Sequence, residues 1–465
     1  MPPRSVMRLI GVALSILVSA GIMLAPLPGN ISPAARQTLA VTLFAVTWWI
    51  FGVTHPAYTT LLMLVAYILL GLAEPAVVFR SWTLPLMWLM IGAFLIAAAV
   101  TKSGLARRVA YIFIVRFASS YRNLIVLTYL LGFTLSFLIP HPFPRALLLM
   151  ALVGAIIHKA GMNKVDAASL GLSVFVSTTA TSMILLTGDS TLNVAAVGFS
   201  TVPISWLNWF FYMGVPGLVA SLLMLGLHLL VFKQTGPLHI DRQALLAEQQ
   251  ALGPMQRDEK TTLAWIAVAL VLWSTDFIHH IDPAWVALLV VVGLSLPRIG
   301  DVLDAGDIAR GINWPIVFFT VGALAIGSVG TATGMSGWLA RALLPADPPQ
   351  NAYLFAGLVS GATMLIHMVI GSALACMSIV APPLVQYARA AGWSPVVPAL
   401  LVYTAVMMHY VFPFHNIVIL LGHGDTGGYD TGQVVKYGLP LTLVALIVLV
   451  PVEVTWWQLI GLMAR

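Results

Sequence analysis

The side chains able to do chemistry in this sequence sit inside apolar runs. Residues 135–150 read LSFLIPHPFPRALLLM, with Pro140, His141, Pro142, Pro144 and Arg145 interrupting leucine and phenylalanine. Prolines remove backbone donors and leave carbonyls free, which lipid tolerates only where the loop is packed in protein or lines a wet cavity. Arg145 opens the next apolar arm, where its charge adds to the positive end of a helix dipole. That pairing suits a carboxylate, phosphonate or sulfonate gripped bidentately. The same guanidinium could instead cap neighbouring carbonyls or snorkel. His141 could donate to an anion, titrate near its reference pKa of about 6.5, or satisfy loop carbonyls.

A second group is TGDSTLN at 187–193. Asp189 is a lone carboxylate there: a counterion to Arg145, a cation ligand, a proton carrier, or a hydrated loop residue near the outer surface. Around it Thr178, Thr181, Thr187, Ser190 and Asn193 offer oxygens of the kind Na⁺ takes, although helical Ser and Thr often bond back to their own carbonyls. Later in the chain come His367, Ser372 with Ala373, His409, Pro413, His415 and Asn416. These histidines lack the spacing of a metal motif, and the single Cys376 excludes a disulfide framework or cysteine metal site. No metal other than Na⁺ is expected, and no cofactor. Nucleotide-cradling glycine motifs and nucleophile elbows are missing, which argues against an ATP-driven pump or a hydrolase.

The elements that must position these groups are membrane helices. Sixty per cent hydrophobic residues, 8% charged and a mean hydropathy of +0.97 over 465 residues describe an all-α polytopic membrane protein. Apolar segments suggest eleven spans near 7–26, 35–53, 56–73, 84–101, 165–198, 204–232, 260–277, 283–299, 313–331, 393–422 and 434–460. Regions 122–158 and 350–390 each have two apolar arms around a polar or Pro/Gly break. The arms of the first are about 17 and 13 residues, short for a crossing at roughly 1.5 Å per residue, so re-entrant hairpins are expected. With the N-terminus cytoplasmic and the C-terminus outside, sixteen of the 22 Lys and Arg fall inside, five outside and Arg145 at membrane depth. The net charge of +6 therefore marks cytoplasmic loops and implies no nucleic acid. A polar linker, 233–260, divides the chain.

The halves repeat. At an offset of 230 residues, IGAFLIAAAVTKSGLA (91–106) matches VGALAIGSVGTATGMS (321–336) at Gly92/Gly322, Ala93/Ala323, Ile96/Ile326, Thr101/Thr331 and Gly104/Gly334. The same offset carries Pro140-His141-Pro142 onto Ile370-Gly371-Ser372, and 187–193 close to 413–416. In the topology above the repeats are inverted, the arrangement in which secondary transporters hold their site at mid-membrane.

Segments 47–72, 86–110, 312–340 and 436–450 resemble the divalent anion/sodium symporter family of the ion transporter superfamily. The resemblance implies eleven spans and two re-entrant hairpins per protomer, a homodimer, and a scaffold beside an elevator-type transport domain. Scaffold is then expected at 1–121 and 261–349, and transport domain at 122–232 and 350–465. It also implies Na⁺ coupling and di- or tricarboxylate or sulfate cargo, held by a Ser-Asn-Thr at each hairpin tip and a Thr-Pro-Pro at each helix break. Here the tips read Pro140-His141-Pro142 and Ser372-Ala373-Leu374, and the breaks 187–193 and Pro413-Phe414-His415-Asn416.

The expected substrate-binding set is His141, Pro142, Arg145, Ser372, Ala373, His415 and Asn416. The ion-coupling set is Thr178, Thr181, Thr187, Asp189, Ser190, Asn193, Ser372 and Pro413. The expected function is secondary transport of a small anion, driven by Na⁺ or H⁺, in a bacterial inner membrane. The alternatives are a cation/proton antiporter or arsenite-type permease and, from another class, a membrane-embedded enzyme or sensor.

Overall fold

The computed structural model describes residues 4–238 and 240–463. Among them the regular structure is helical, with one isolated bridge between His423 and Tyr429. Among the described residues seven helices are long and apolar enough to cross a membrane, and three shorter apolar helices, Pro56–Leu69, Pro283–Ser295 and Val396–Met408, accompany them. The last, Thr431–Leu459, is continuous through a π-helical turn at Val448–Val452 that absorbs Pro451. Helix starts are written locally. Ser32, His55, Ser120, His141, Asn163, Ser205, Asp282, Asn351 and Ser372 each accept a backbone N–H from the first turn they precede.

The repeat is visible in the order of elements. Pro85–Ser103, Leu105–Phe117, Tyr121–Ser136 and Pro142–Lys159 correspond to Trp314–Ala332, Met335–Leu343, Ala352–Val369 and Ala373–Ala390. The matched Gly104 and Gly334 both break the chain in the left-handed region, at φ 81° and 83°, which only glycine adopts without strain. The short amphipathic helices that follow them, Leu105–Phe117 and Met335–Leu343, were not anticipated. Leu105–Phe117 carries three arginines and Met335–Leu343 has only nine residues, so neither registers as a span.

Packing between the halves is reciprocal. Pro85–Ser103 packs on Pro283–Ser295, while its repeat partner Trp314–Ala332 packs on Pro56–Leu69. At the first crossing a Cβ on Gly92 would lie 2.8 Å from Ala287 Cβ; at the second a Cβ on Gly322 would lie 2.2 Å from Thr60 Cγ2. The matched small residues are therefore the close-approach points of two equivalent crossings.

The hairpins differ from expectation in one respect. The second arm of the first, Pro142–Lys159, has 18 residues, more than the expected 13 or so. It gains them by starting at Pro142 itself, whose fixed φ suits the first helical position. Arm length is thus compatible with a span, and what marks the hairpin is its tip. Pro140 O accepts from Ser190 N at 3.0 Å, inside the break of the next helix, and His141 and Arg145 are 6% and 0% exposed.

Two helices are broken at this level. Lys164–Thr181 ends, a 3₁₀ turn spans Leu186–Gly188, and Leu192–Ser200 resumes. In the second repeat Val396–Met408 ends, Pro413–His415 turns, and Ile417–Gly422 resumes. These half-helices also pack reciprocally: Leu192–Ser200 on Val396–Met408, and Ile417–Gly422 on Lys164–Thr181.

The linker carries a helix, Arg242–Ala251. Its Glu248 bonds Tyr111 Oη (2.6 Å) and, on the other side, Lys159 Nζ at the end of the first hairpin. Hydrogen bonds from Lys159 and then Tyr111 hold the Glu248 carboxyl below its ordinary pKa. Nearby, Arg108 grips Glu259 bidentately (2.6 and 2.9 Å) and the linker carbonyls of Leu252, Gly253 and Pro254.

Candidate functional site

The first tip and first break form one buried polar cluster. Arg145 reaches across it. Its Nη1 donates to Ile139 O (2.8 Å) in the tip and Gly188 O (2.9 Å) in the break; its Nη2 donates to Thr178 O (3.0 Å) and Ser182 Oγ at the end of the preceding half-helix. Only Nε lacks a partner. The sequence allowed an anion fork or a carbonyl cap, and the structure shows the carbonyl cap in this conformation.

His141 is the N-cap of the hairpin helix. Its Nδ1 accepts from Phe143 N at 3.2 Å and its ring lies 5.4 Å from that of Phe94. Pro142 and Pro144 have no N–H and His141 accepts that of Phe143, so the first three residues of that helix leave no orphan donor. This explains how such a helix end can be buried inside the protein.

Asp189 caps Leu192–Ser200 and makes no ion pair with Arg145. Its Oδ1 accepts from Thr191 N (2.9 Å) and Leu192 N (3.1 Å). At 3% exposure the carboxylate is buried, which sets aside a hydrated loop. Its repeat counterpart is Asn416, whose Oδ1 accepts from Val418 N (2.9 Å) and Ile419 N (3.4 Å). One repeat therefore uses an amide where the other uses a carboxyl: Asn416 is itself the N-cap of Ile417–Gly422, whereas Asp189 accepts from the N-cap residue Thr191 and from Leu192. Asp189→Asn is expected to keep stability within about 1 kcal/mol of the native chain, whereas Asp189→Ala loses about 1–2 kcal/mol, read from thermal unfolding midpoints.

The other oxygens of the first break are divided. Thr178 and Thr181 bond back to Phe175 O (3.0 Å) and Ser177 O (2.8 Å). Thr187 Oγ1 accepts from Trp206 Nε1 at 3.2 Å. Ser190 Oγ, Thr191 Oγ1 and Asn193 Oδ1 are buried without a partner. Asn193 Nδ2 faces three carbonyls, Ser182 O (3.0 Å), Leu185 O (2.9 Å) and Leu186 O (3.2 Å).

The second tip and break are built from histidines. Ser372 Oγ accepts from Ala375 N at 3.4 Å, leaving the N–H groups of Ala373 and Leu374 uncapped by it at a partly exposed tip. Gly371 lies against Phe414, where a Cβ would come within 2.6 Å of the ring. His367 Nε2 donates to His415 O at 3.2 Å, and His415 Nδ1 accepts from Val411 N (3.1 Å) and Phe412 N (3.3 Å). Pro413 opens the intervening turn. The rings of His367, His409 and His415 are 5.2–6.2 Å apart, and one nitrogen of each is buried without a partner. Among the described residues no group of His, Cys, Asp or Glu is arranged to hold a metal ion.

A cavity of about 1490 Å³ opens beside this unit. Its walls include Leu89 and Leu324 from the crossing helices, Leu186 and Val194 from the first broken helix, and Pro382 and Arg389 from the second hairpin. It reaches the flank of the first break at Leu186, while none of the expected site residues lines it.

Residues 7–463 match the model of the sodium:sulfate symporter transmembrane region. The chain belongs to this sodium:sulfate symporter family. It is a membrane transporter and not an enzyme, which removes the embedded-enzyme alternative. Among relatives of the symporter family, it is 24% identical to a membrane protein of Cupriavidus necator, over 94% of this chain and 90% of that one. It is 25% identical to dicarboxylate transporter 1 of Spinacia oleracea chloroplasts (96% and 81%) and 25% identical to the sodium-dependent dicarboxylate transporter SdcS of Staphylococcus saprophyticus (72% and 70%). In fold it is similar to the YdaH transporter of Alcanivorax borkumensis, with a TM-score of 0.52 and 14% identity over 98% of this chain and 97% of that one.

A buried glutamate inside an apolar segment escaped the reading of the sequence. Glu453 is 0% exposed, with Oε1 accepting from Thr404 Oγ1 at 2.6 Å and Oε2 unpartnered. The signal was there: a single acidic residue in an apolar segment of 29 residues.

Proposed function

We propose that the chain is a secondary active carrier that moves a small anion, a carboxylate or another oxyanion, across the membrane by an elevator motion coupled to Na⁺ or H⁺. The observation that carries this reading is the pair of tip-to-break junctions. In each repeat a hairpin tip is hydrogen-bonded or packed into the break of the following helix, Pro140 to Ser190 and Gly371 to Phe414. Helix N-termini and loop carbonyls then meet at one level, which is how carriers bind an anion and a coupling cation together. Names of relatives support the cargo class: several are described as dicarboxylate transporters, one of them sodium-dependent.

Hairpins and broken helices (122–232 and 350–465) form the moving unit in this proposal. Segments 1–121 and 261–349 form the scaffold, which carries the contact of a homodimer. The cavity between the crossing helices and the second hairpin serves as the vestibule. Ser372 and the free N–H groups of Ala373 and Leu374 would contribute to the anion site, together with Asn416.

Uptake into proteoliposomes tests the reading. Labelled dicarboxylates, citrate, sulfate, sulfonates and phosphonates are offered under imposed Na⁺ or pH gradients. Accumulation of at least one anion under one gradient, abolished by dissipating it, is the expected result. Equilibration of every anion regardless of gradient would overturn secondary active transport.

A further inference from the structure

We propose that Arg145 is a resident cation. Its guanidinium permanently fills the carbonyl nest of the first helix break, so the first repeat takes no exchangeable coupling ion. Removing the guanidinium uncovers a site for a small monovalent cation.

The nest is made only of oxygens: Ile139 O, Gly188 O, Thr178 O and Ser182 Oγ. They come from three segments: the hairpin tip, the break, and the last turn of Lys164–Thr181. Oxygens at the negative end of a half-helix beside unwound carbonyls are what a desolvated Na⁺ requires. Among the described residues no ion pair includes Arg145. Carbonyl and hydroxyl dipoles, not a carboxylate contact, therefore receive its charge, as they would receive a bare ion's.

The rest of the break leaves no second nest. Asn193 Nδ2 takes the carbonyls of Ser182, Leu185 and Leu186. The unpartnered oxygens of Ser190, Thr191 and Asn193 lie at the positive end of Leu192–Ser200, which repels a cation. The second repeat is unlike this. The offset of 230 puts Ala375 at the position of Arg145. The 3₁₀ turn that ends at Gly188 in the first break ends at His415 in the second, and His415 O is met instead by the His367 imidazole at 3.2 Å. Any exchangeable coupling ion is thereby directed to the second repeat. That consequence rests on the carrier reading; occupancy of the nest does not, and it is tested without transport.

Thermal unfolding of the full-length protein in detergent is compared for the native chain, Arg145→Ala and Arg145→Gln. Na⁺ and methylguanidinium are each titrated against choline at constant ionic strength. Both neutral variants should unfold at least about 5 °C lower and then recover part of the loss with Na⁺ or methylguanidinium, beyond any response of the native chain. Equal cation responses in native and variant proteins would overturn the proposal. If the neutral variants yield no folded protein, Arg145→Lys decides. A tethered ammonium should restore folding without a new cation response, and its failure to fold would show that fork geometry, not a resident charge, is what the position needs.

Discussion

Asn193→Ala is expected to lower stability by about 3 kcal/mol or more and to abolish transport. Asn193 is fully buried, and its amide nitrogen is the donor for Ser182 O, Leu185 O and Leu186 O, carbonyls released where the first helix breaks. Alanine removes those contacts without supplying water, because the cluster is sealed inside the protein. Unsatisfied buried acceptors cost about 1–3 kcal/mol each. Asn193→Asp should be worse than alanine, since it turns a carboxylate toward the same carbonyls. Thermal midpoints of the purified protein and anion uptake in proteoliposomes check both variants. An alanine variant with an unchanged midpoint would show that the break is held by Arg145 alone.

Gly171→Ala carries the second large effect. The glycine lies in Lys164–Thr181, where a Cβ would fall 1.8 Å from Gly427 O and 2.8 Å from Gly427 C. Both are backbone atoms, so no side-chain rotation relieves the overlap. The loop they belong to is itself pinned: Gly427 N donates to Gly422 O (2.8 Å), Gly424 N to Tyr429 O (2.9 Å) and Tyr429 Oη to Ile419 O (2.6 Å). Pushing it outward pulls Ile417–Gly422 off Lys164–Thr181, and with it the Asn416 cap. The loss expected is about 3 kcal/mol or more, at the upper end of overpacking effects. Gly154→Ala is the control, because the nearest atom to its Cβ is Met150 Cε at 3.8 Å. That variant should be neutral or more stable by up to about 1 kcal/mol. Midpoints that fall equally in the two variants would refute the steric argument.

Much of the fold was legible because it is local. Apolar length placed the long helices, while their starts lie at capping residues and N1 prolines that the structure displays, as at His141 and Pro142. The match of Gly104 with Gly334 is legible as part of the repeat, and the structure shows both as left-handed breaks. The helices Leu105–Phe117 and Met335–Leu343 were missed for the converse reason: amphipathic helices leave no apolar run of spanning length. At the site, position was readable and partnership was not. Hydroxyls in TGDSTLN looked alike in sequence, yet Thr187 accepts from Trp206, while Ser190 has no partner. Asp189 was compatible with a counterion, a cation ligand, a proton carrier or a hydrated loop residue, and the structure shows it accepting backbone N–H groups at the start of the resumed helix, as Asn416 does.

By itself the sequence determined that this is an all-helical membrane transporter with a repeat, two interrupted hairpins and two broken helices. Those properties follow from hydrophobic length, prolines and small residues along a single stretch of chain. Tertiary structure alone decided what the charged and polar groups at the breaks do. Arg145 finds acceptors 33 and 43 residues away, at Thr178 and Gly188, and their distances depend on how the tip docks into the break. A guanidinium beside a proline loop is compatible with an anion fork or a carbonyl cap; only the placement of those distant oxygens distinguishes the two.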